Sequence, residues 1–148
     1  MKKIFLILIF LMFITGCDNK KALTKKEFKN KMEDYNFTVM NSIKQFDDYD
    51  YIKMAYLAYD EYNNQIEFYG FDDKVAATGF YEVNKKMIQS EEMEVSGIEK
   101  IKKTYKSYML TTDNKYLYLC QIDNTVLFTS VNVKYKDKIT NIIKKMGY

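Results

Sequence analysis

Three runs in the second half of the chain constrain its fold more than any other feature. Thr104 to Thr112, Lys115 to Ile122 and Thr125 to Val133 are rich in Tyr, Thr, Val and Leu, residues that fit a pleated, half-buried surface. Both joints between them are Asp-Asn, at Asp113-Asn114 and Asp123-Asn124. Asp and Asn tolerate the positive φ that two-residue hairpin turns demand. The spacing predicts an antiparallel meander. With Asp123-Asn124 as its tight loop, Leu119 lies opposite Phe128 and Cys120 opposite Leu127.

A matching pattern stands upstream. Phe37-Thr38-Val39-Met40, Tyr51 to Tyr59 and Gln65 to Phe71 read as strands, interrupted by an acidic turn at Phe46 to Asp50 and another at Asp60 to Asn64. Ile66 and Phe68 alternate with Glu67 and Tyr69, which turns Ile66 and Phe68 toward a core. Three helices punctuate the strands. The first opens on a capping box, Thr24-Lys25-Lys26-Glu27, with Leu23 and Phe28 placed as a hydrophobic staple. Phe28, Met32 and Tyr35 form its apolar stripe. The second is capped by Asp72 and runs to about Ile88, with Ala76, Phe80, Val83 and Met87 as its core face. Gly79 inside it costs about 1 kcal/mol relative to Ala, which suggests close packing at that turn. The third begins near Tyr135 and carries Ile139, Ile142, Ile143 and Met146, with Gly147 as the left-handed residue that ends it. Residues 89–103 carry no clear period, and Gly97 divides them.

The order is α-βββ-α-βββ-α, an α+β fold of antiparallel β-meanders with amphipathic helices in a single domain, 24–148. The two halves share a plan, but their residues match too weakly to establish a repeat.

The N-terminus reads as an address. Lys2 and Lys3 precede an unbroken apolar run, Ile4 to Ile14, too short to span a bilayer. Ile14-Thr15-Gly16-Cys17 resembles the lipobox of bacterial lipoproteins. That resemblance implies a removed signal peptide, 1–16, and a Cys17 acylated as by palmitate. It also implies a short tether, 17–23, and a place at the extracytoplasmic face of the cell membrane, where lipid is the first partner. Two acyl chains anchor stably where one is marginal. With Cys17 so used, Cys120 is left as a lone thiol and no internal disulfide forms.

Further pieces extend the resemblance. They are Leu23-Thr24-Lys25-Lys26-Glu27-Phe28 after the lipobox, Ile66-Glu67-Phe68-Tyr69 leading into a helix with Ala76, and Ile122-Asp123-Asn124-Thr125-Val126 before a terminal helix ending in Gly147-Tyr148. Together they resemble small uncharacterised lipoproteins of low-GC Gram-positive bacteria. The resemblance implies a surface lipoprotein with a small α+β domain, and it carries no functional residue beyond Cys17.

Composition narrows the chemistry. The chain has no His, and all 23 of its basic residues are Lys. That excludes a Ser-His-Asp triad, a Cys-His pair and His-ligated metal, and removes the guanidinium fork from anion recognition. A net charge of +3 is too small to argue for nucleic acid. No cofactor motif is present. Cys120 sits mid-strand without an activating partner and reads as structural. Asp47, Asp48, Asp50, Asp60 and Glu61 can be read as a calcium loop or an acid/base pair, but they lack the EF-hand spacing and read better as solvated turns. Lys134, Lys136, Lys138, Lys144 and Lys145 are candidates for contact with anionic lipid, or simply the wet face of a helix.

The excess lies in Tyr, of which there are 14. Tyr51, Tyr59, Tyr69, Tyr116 and Tyr118 are the candidate binding residues, on the expectation that part of each strand faces solvent and recognises an envelope protein or a glycan. The expectation is therefore a non-catalytic, membrane-anchored binding domain. The alternative is a cell-envelope enzyme using Asp/Glu carboxylates.

Overall fold

The computed structural model describes residues 19–92 and 95–148. The signal segment, Cys17 and Asp18 lie outside the described residues, as do Met93 and Glu94. The chain runs α1 (Lys25–Asp34), β1 (Thr38–Asn41), β2 (Ile52–Tyr59), β3 (Gln65–Phe71), α2 (Lys74–Glu91), β4 (Ile98–Ile101), β5 (Tyr105–Thr111), β6 (Lys115–Ile122), β7 (Thr125–Asn132) and α3 (Lys136–Met146). The fold is α+β. Two antiparallel meanders, β1-β2-β3 and β4-β5-β6-β7, join where β3 pairs antiparallel with β7. The stretch 89–103 supplies the end of α2 and the added edge strand β4. Gly97 belongs just before that strand, because a Cβ there would fall 2.1 Å from the Tyr108 ring.

Turn chemistry sets the register of the β6–β7 hairpin. Leu119 pairs with Phe128 and Cys120 with Leu127, and Asp123 takes φ 50°. The other Asp-Asn turn does without positive φ. Thr112 closes it instead: its amide donates to the Lys115 carbonyl at 2.9 Å, and its hydroxyl accepts the Lys115 amide at 3.0 Å.

Helix α1 starts at the expected capping box, with the Glu27 amide on Thr24 Oγ1 at 3.3 Å and the Thr24 amide on the Glu27 carboxylate at 2.7 Å. Helix α3 ends at Gly147, φ 96°, which folds Tyr148 back into the core so that its hydroxyl meets Thr125 Oγ1 at 2.5 Å.

Helix α2 departs from the sequence reading in two ways. Its cap is Asp73, one residue late, accepting the Ala76 amide at 2.8 Å; Asp72 instead pairs with Lys53. More consequentially, the helix is rotated. Ala77, Tyr81 and Ile88 are buried, while Val83 is 66% and Met87 49% exposed. Ala76 and Phe80 are half-buried. Buried polar groups choose this rotation. The Tyr81 hydroxyl reaches Glu99 at 3.2 Å, and the buried Gln121 amide donates to Thr78 Oγ1 at 3.0 Å and to the Lys74 carbonyl at 3.3 Å. Leaving such groups unpaired inside the fold costs more than exposing a Val.

The sheet is sandwiched. On one face α1 and α3 lay Phe28, Met32, Ile139 and Ile143 over Ile66, Phe68, Cys120 and Leu127. On the other, α2 lays Ala77, Tyr81 and Ile88 over Ala55, Tyr69, Leu119 and Val126. This arrangement bears on the two halves. Because β3 and β7 are antiparallel, a two-fold relating the meanders stands perpendicular to the sheet and keeps each helix on its own face. Helices α1 and α2 lie on opposite faces, so that rotation does not relate the halves. No helix among the described residues is long and apolar enough to cross a membrane.

Candidate functional site

Rotation of α2 leaves one apolar flank of the helix uncovered. It looks across to the loop between β1 and β2, which carries a 3₁₀ turn, Ile43–Phe46, and then Tyr49 and Tyr51. Between loop and helix lies a groove of about 680 Å³. Buried Ile52 and half-buried Phe46, Ala76 and Phe80 form its depth, and exposed Tyr49, Tyr51, Val75 and Val83 form its rim.

The aromatic side chains around the groove form a closed circuit. Phe46 meets Tyr69 edge-on at 5.6 Å, Tyr69 meets Phe80 at 4.8 Å, and Phe80 meets Phe71 at 5.0 Å. Phe71 stacks on Tyr51 at 6.5 Å, Tyr51 touches Tyr49 at 5.8 Å, and Tyr49 returns to Phe46 at 6.4 Å. Offset and edge-to-face contacts at these separations are favourable, so the wall is held by its own packing. Gly79 opens into the same space. A Cβ there would have nothing within 4 Å, which corrects the expectation that this glycine permits close packing.

The groove offers few polar groups: the Tyr49 and Tyr51 hydroxyls stand on its rim, and its other polar side chains, Asp73 and Asn84, each make a hydrogen bond to α2. Asp73 caps α2, and the Asn84 side chain donates to the Phe80 carbonyl at 2.8 Å. A glycan needs convergent donors and acceptors, whereas this lining suits an apolar ligand.

The five candidate tyrosines do not share a surface. Tyr51 is on the groove rim, exposed. Tyr69 is buried beneath the same groove, its hydroxyl bonded to Glu67 and its ionisation pushed far up by burial. Tyr59 is half-buried on β2. Tyr116, buried, and Tyr118, half-buried, lie on the opposite face beside α3. Sequence reasoning missed Phe46, Val75 and Gly79 as groove residues and assigned Phe80 and Val83 to the core. The available signal was a helix with two apolar stripes, only one of which a single sheet face can cover.

The other candidates are also placed. Asp60 is buried at a turn, where burial would raise its carboxyl but hydrogen bonds from Asn64 and Lys138 outweigh that and hold it below the ordinary value. Lys138 reaches it at 2.7 Å, pinning the β2–β3 turn to α3. Asp47, Asp48, Asp50 and Glu61 are exposed, and no group of three potential metal ligands occurs among the described residues. Glu82, Lys85, Glu99 and Lys106 form a paired network between α2 and the β4–β5 edge.

Cys120 is fully buried, and burial pushes its thiol up to about 11. A thiol so protonated is a poor nucleophile. Cys120→Ala is expected to lower stability by about 1 kcal/mol and leave ligand binding unchanged, as read by urea titration beside a binding assay. Loss of binding at unchanged stability would restore a functional role for the thiol.

No protein-family model, curated protein or solved structure matches this chain.

Proposed function

We propose that this protein is a membrane-anchored, extracytoplasmic binding domain that holds an apolar ligand in the groove between α2 and the β1–β2 loop. The observation that carries the reading is Gly79. A glycine in a helix interior costs about 1 kcal/mol relative to Ala. Here it relieves no clash; what its missing side chain provides is room in an apolar groove already bounded by aromatic rings. A volume of about 680 Å³ falls in the range of ligand pockets.

Two substitutions separate stability from binding. Gly79→Ala is expected to stabilise the domain by about 1 kcal/mol, seen as a higher urea midpoint. Gly79→Leu is expected to fill the groove without unfolding the helix. The chain contains no Trp, so Tyr51→Trp installs a single fluorescent reporter on the rim. Bromonaphthalene, an apolar quencher, should quench it saturably, and adding Gly79→Leu should abolish the saturable part. A Trp at Tyr62, exposed on the β2–β3 turn, reports background. Equal, unsaturable quenching at both positions would refute the groove as a binding site.

A further inference from the structure

On the opposite face of the sheet, α3 stops short of the β4 edge and leaves a second cleft, of about 370 Å³. Tyr105, Tyr116 and Tyr118 line it, and Lys20, Lys100, Lys136 and Lys144 stand around it, with no Asp or Glu among the described residues of its walls. None of these four lysines has a carboxylate partner among the described residues. Lys20 Nζ sits 4.5 Å over the Tyr105 ring and Lys136 Nζ 5.8 Å over Tyr116, so two of the cations are held above an aromatic floor. Lys85, Lys106, Lys115 and Lys138, by contrast, each pair with an acid.

Two further observations favour an anion at this place. Thr140 Oγ1, in the wall of the cleft, is buried beside the Tyr116 hydroxyl, and this pair of hydroxyls can still offer a proton to an added acceptor. Lys20 is half-buried, and its charged form is disfavoured first by that burial and also by Lys100; a bound anion would relieve both.

We propose that this cleft binds the phosphate of an anionic lipid headgroup, with the tyrosines receiving the adjoining apolar stem. Lysine serves phosphate as a point charge and needs no planar fork. The lipid source rests on the membrane-anchored reading above. Lys20 also borders a neighbouring depression lined by Lys21, Lys74 and Lys103 with the single acid Asp123 among its described residues, so a net positive surface continues along the edge of the domain. Three residues of chain span at most about 11 Å, so an acylated Cys17 would hold Lys20, at one end of this strip, within that reach of the bilayer. The apolar groove, on the other face, would then point away from it.

The test is lysine-reactivity footprinting of the full chain in dodecylmaltoside micelles, with acetylation at each lysine read by mass spectrometry. Micelles doped with phosphatidylglycerol should protect Lys20, Lys100, Lys136 and Lys144, while Lys26 on α1 stays reactive. Phosphatidylcholine should give no such protection. Lys100→Gln with Lys136→Gln should weaken phosphatidylglycerol protection at Lys20 and Lys144 by about thirtyfold in lipid concentration, at the usual strength of a lysine near anionic lipid. Because lipid is supplied in trans, this result does not depend on acylation of Cys17, so failure of the anchor and failure of the cleft are distinguishable. Uniform protection of exposed lysines, or none, overturns the site. Equal protection by inorganic phosphate overturns the lipid as its source.

Discussion

Replacing Phe68 with Ala is expected to remove about 3–5 kcal/mol of stability, the usual loss for a fully buried Phe. Phe68 is completely buried. Its ring stacks on Phe28 of α1 at 4.6 Å and meets Tyr148 after α3 edge-on at 5.9 Å. One side chain on β3 therefore holds both helices of that face. No disulfide is present among the described residues, where Cys120 is free, so packing must supply the stability. For a domain of ordinary stability, about 5–15 kcal/mol, the loss is large enough to leave some molecules unfolded at physiological temperature. Urea titration followed by circular dichroism gives the magnitude. Phe46→Ala is the control: the residue is only half-buried, in the lining of the groove, and should cost much less. A double cycle with Phe28→Ala should return a coupling of about 1 kcal/mol for the ring pair. A loss from Phe68→Ala no greater than that from Phe46→Ala would contradict the packing of α1 and α3 on the sheet.

What could be read before the fold was known follows from the range of each interaction. The β6–β7 register was legible because a turn and a period-two pattern are local, and Asp123 needs only its own φ. The α1 cap was legible because Thr24 and Glu27 are three residues apart. The rotation of α2 was not, because it is decided by Gln121 on β6 and Glu99 on β4. Neither is adjacent in sequence, and Tyr81 scores as less apolar than the Val83 it displaces. The groove inherits that difficulty, since Phe80 and Gly79 become site residues only once the helix has turned them away from the sheet. The tyrosine excess pointed to binding surfaces, but strand parity divides it: Tyr51 borders one cleft, while Tyr116 and Tyr118 line another on the opposite face.

Changing Cys17 to Ser is expected to abolish acylation altogether and leave the precursor uncut, on the proposal that Ile14-Thr15-Gly16-Cys17 is a lipobox. The thiol is the atom that takes the lipid, and a hydroxyl in its place offers a far weaker nucleophile. The size of the effect follows from chain arithmetic. A single fourteen-carbon chain gives a membrane association constant of only about 10⁴ M⁻¹, and stable anchoring takes a second chain or its equivalent. Loss of the diacyl group therefore removes the anchor rather than loosening it. Fractionation alone would mislead, because an uncut precursor keeps the apolar run Ile4 to Ile14 and can remain with the membrane through it. The decisive readings are incorporation of labelled fatty acid and the mobility of the chain on a denaturing gel. The wild type should carry label at the shorter length, and Cys17→Ser should be unlabelled and longer by the leader. Cys120→Ala should label like the wild type, since its thiol is sealed in the core. Label persisting on Cys17→Ser would show that the lipid sits elsewhere. The proximity of the lysine cleft to a membrane would then lose its basis, while the apolar groove, which rests on Gly79 and the aromatic circuit, would keep its own.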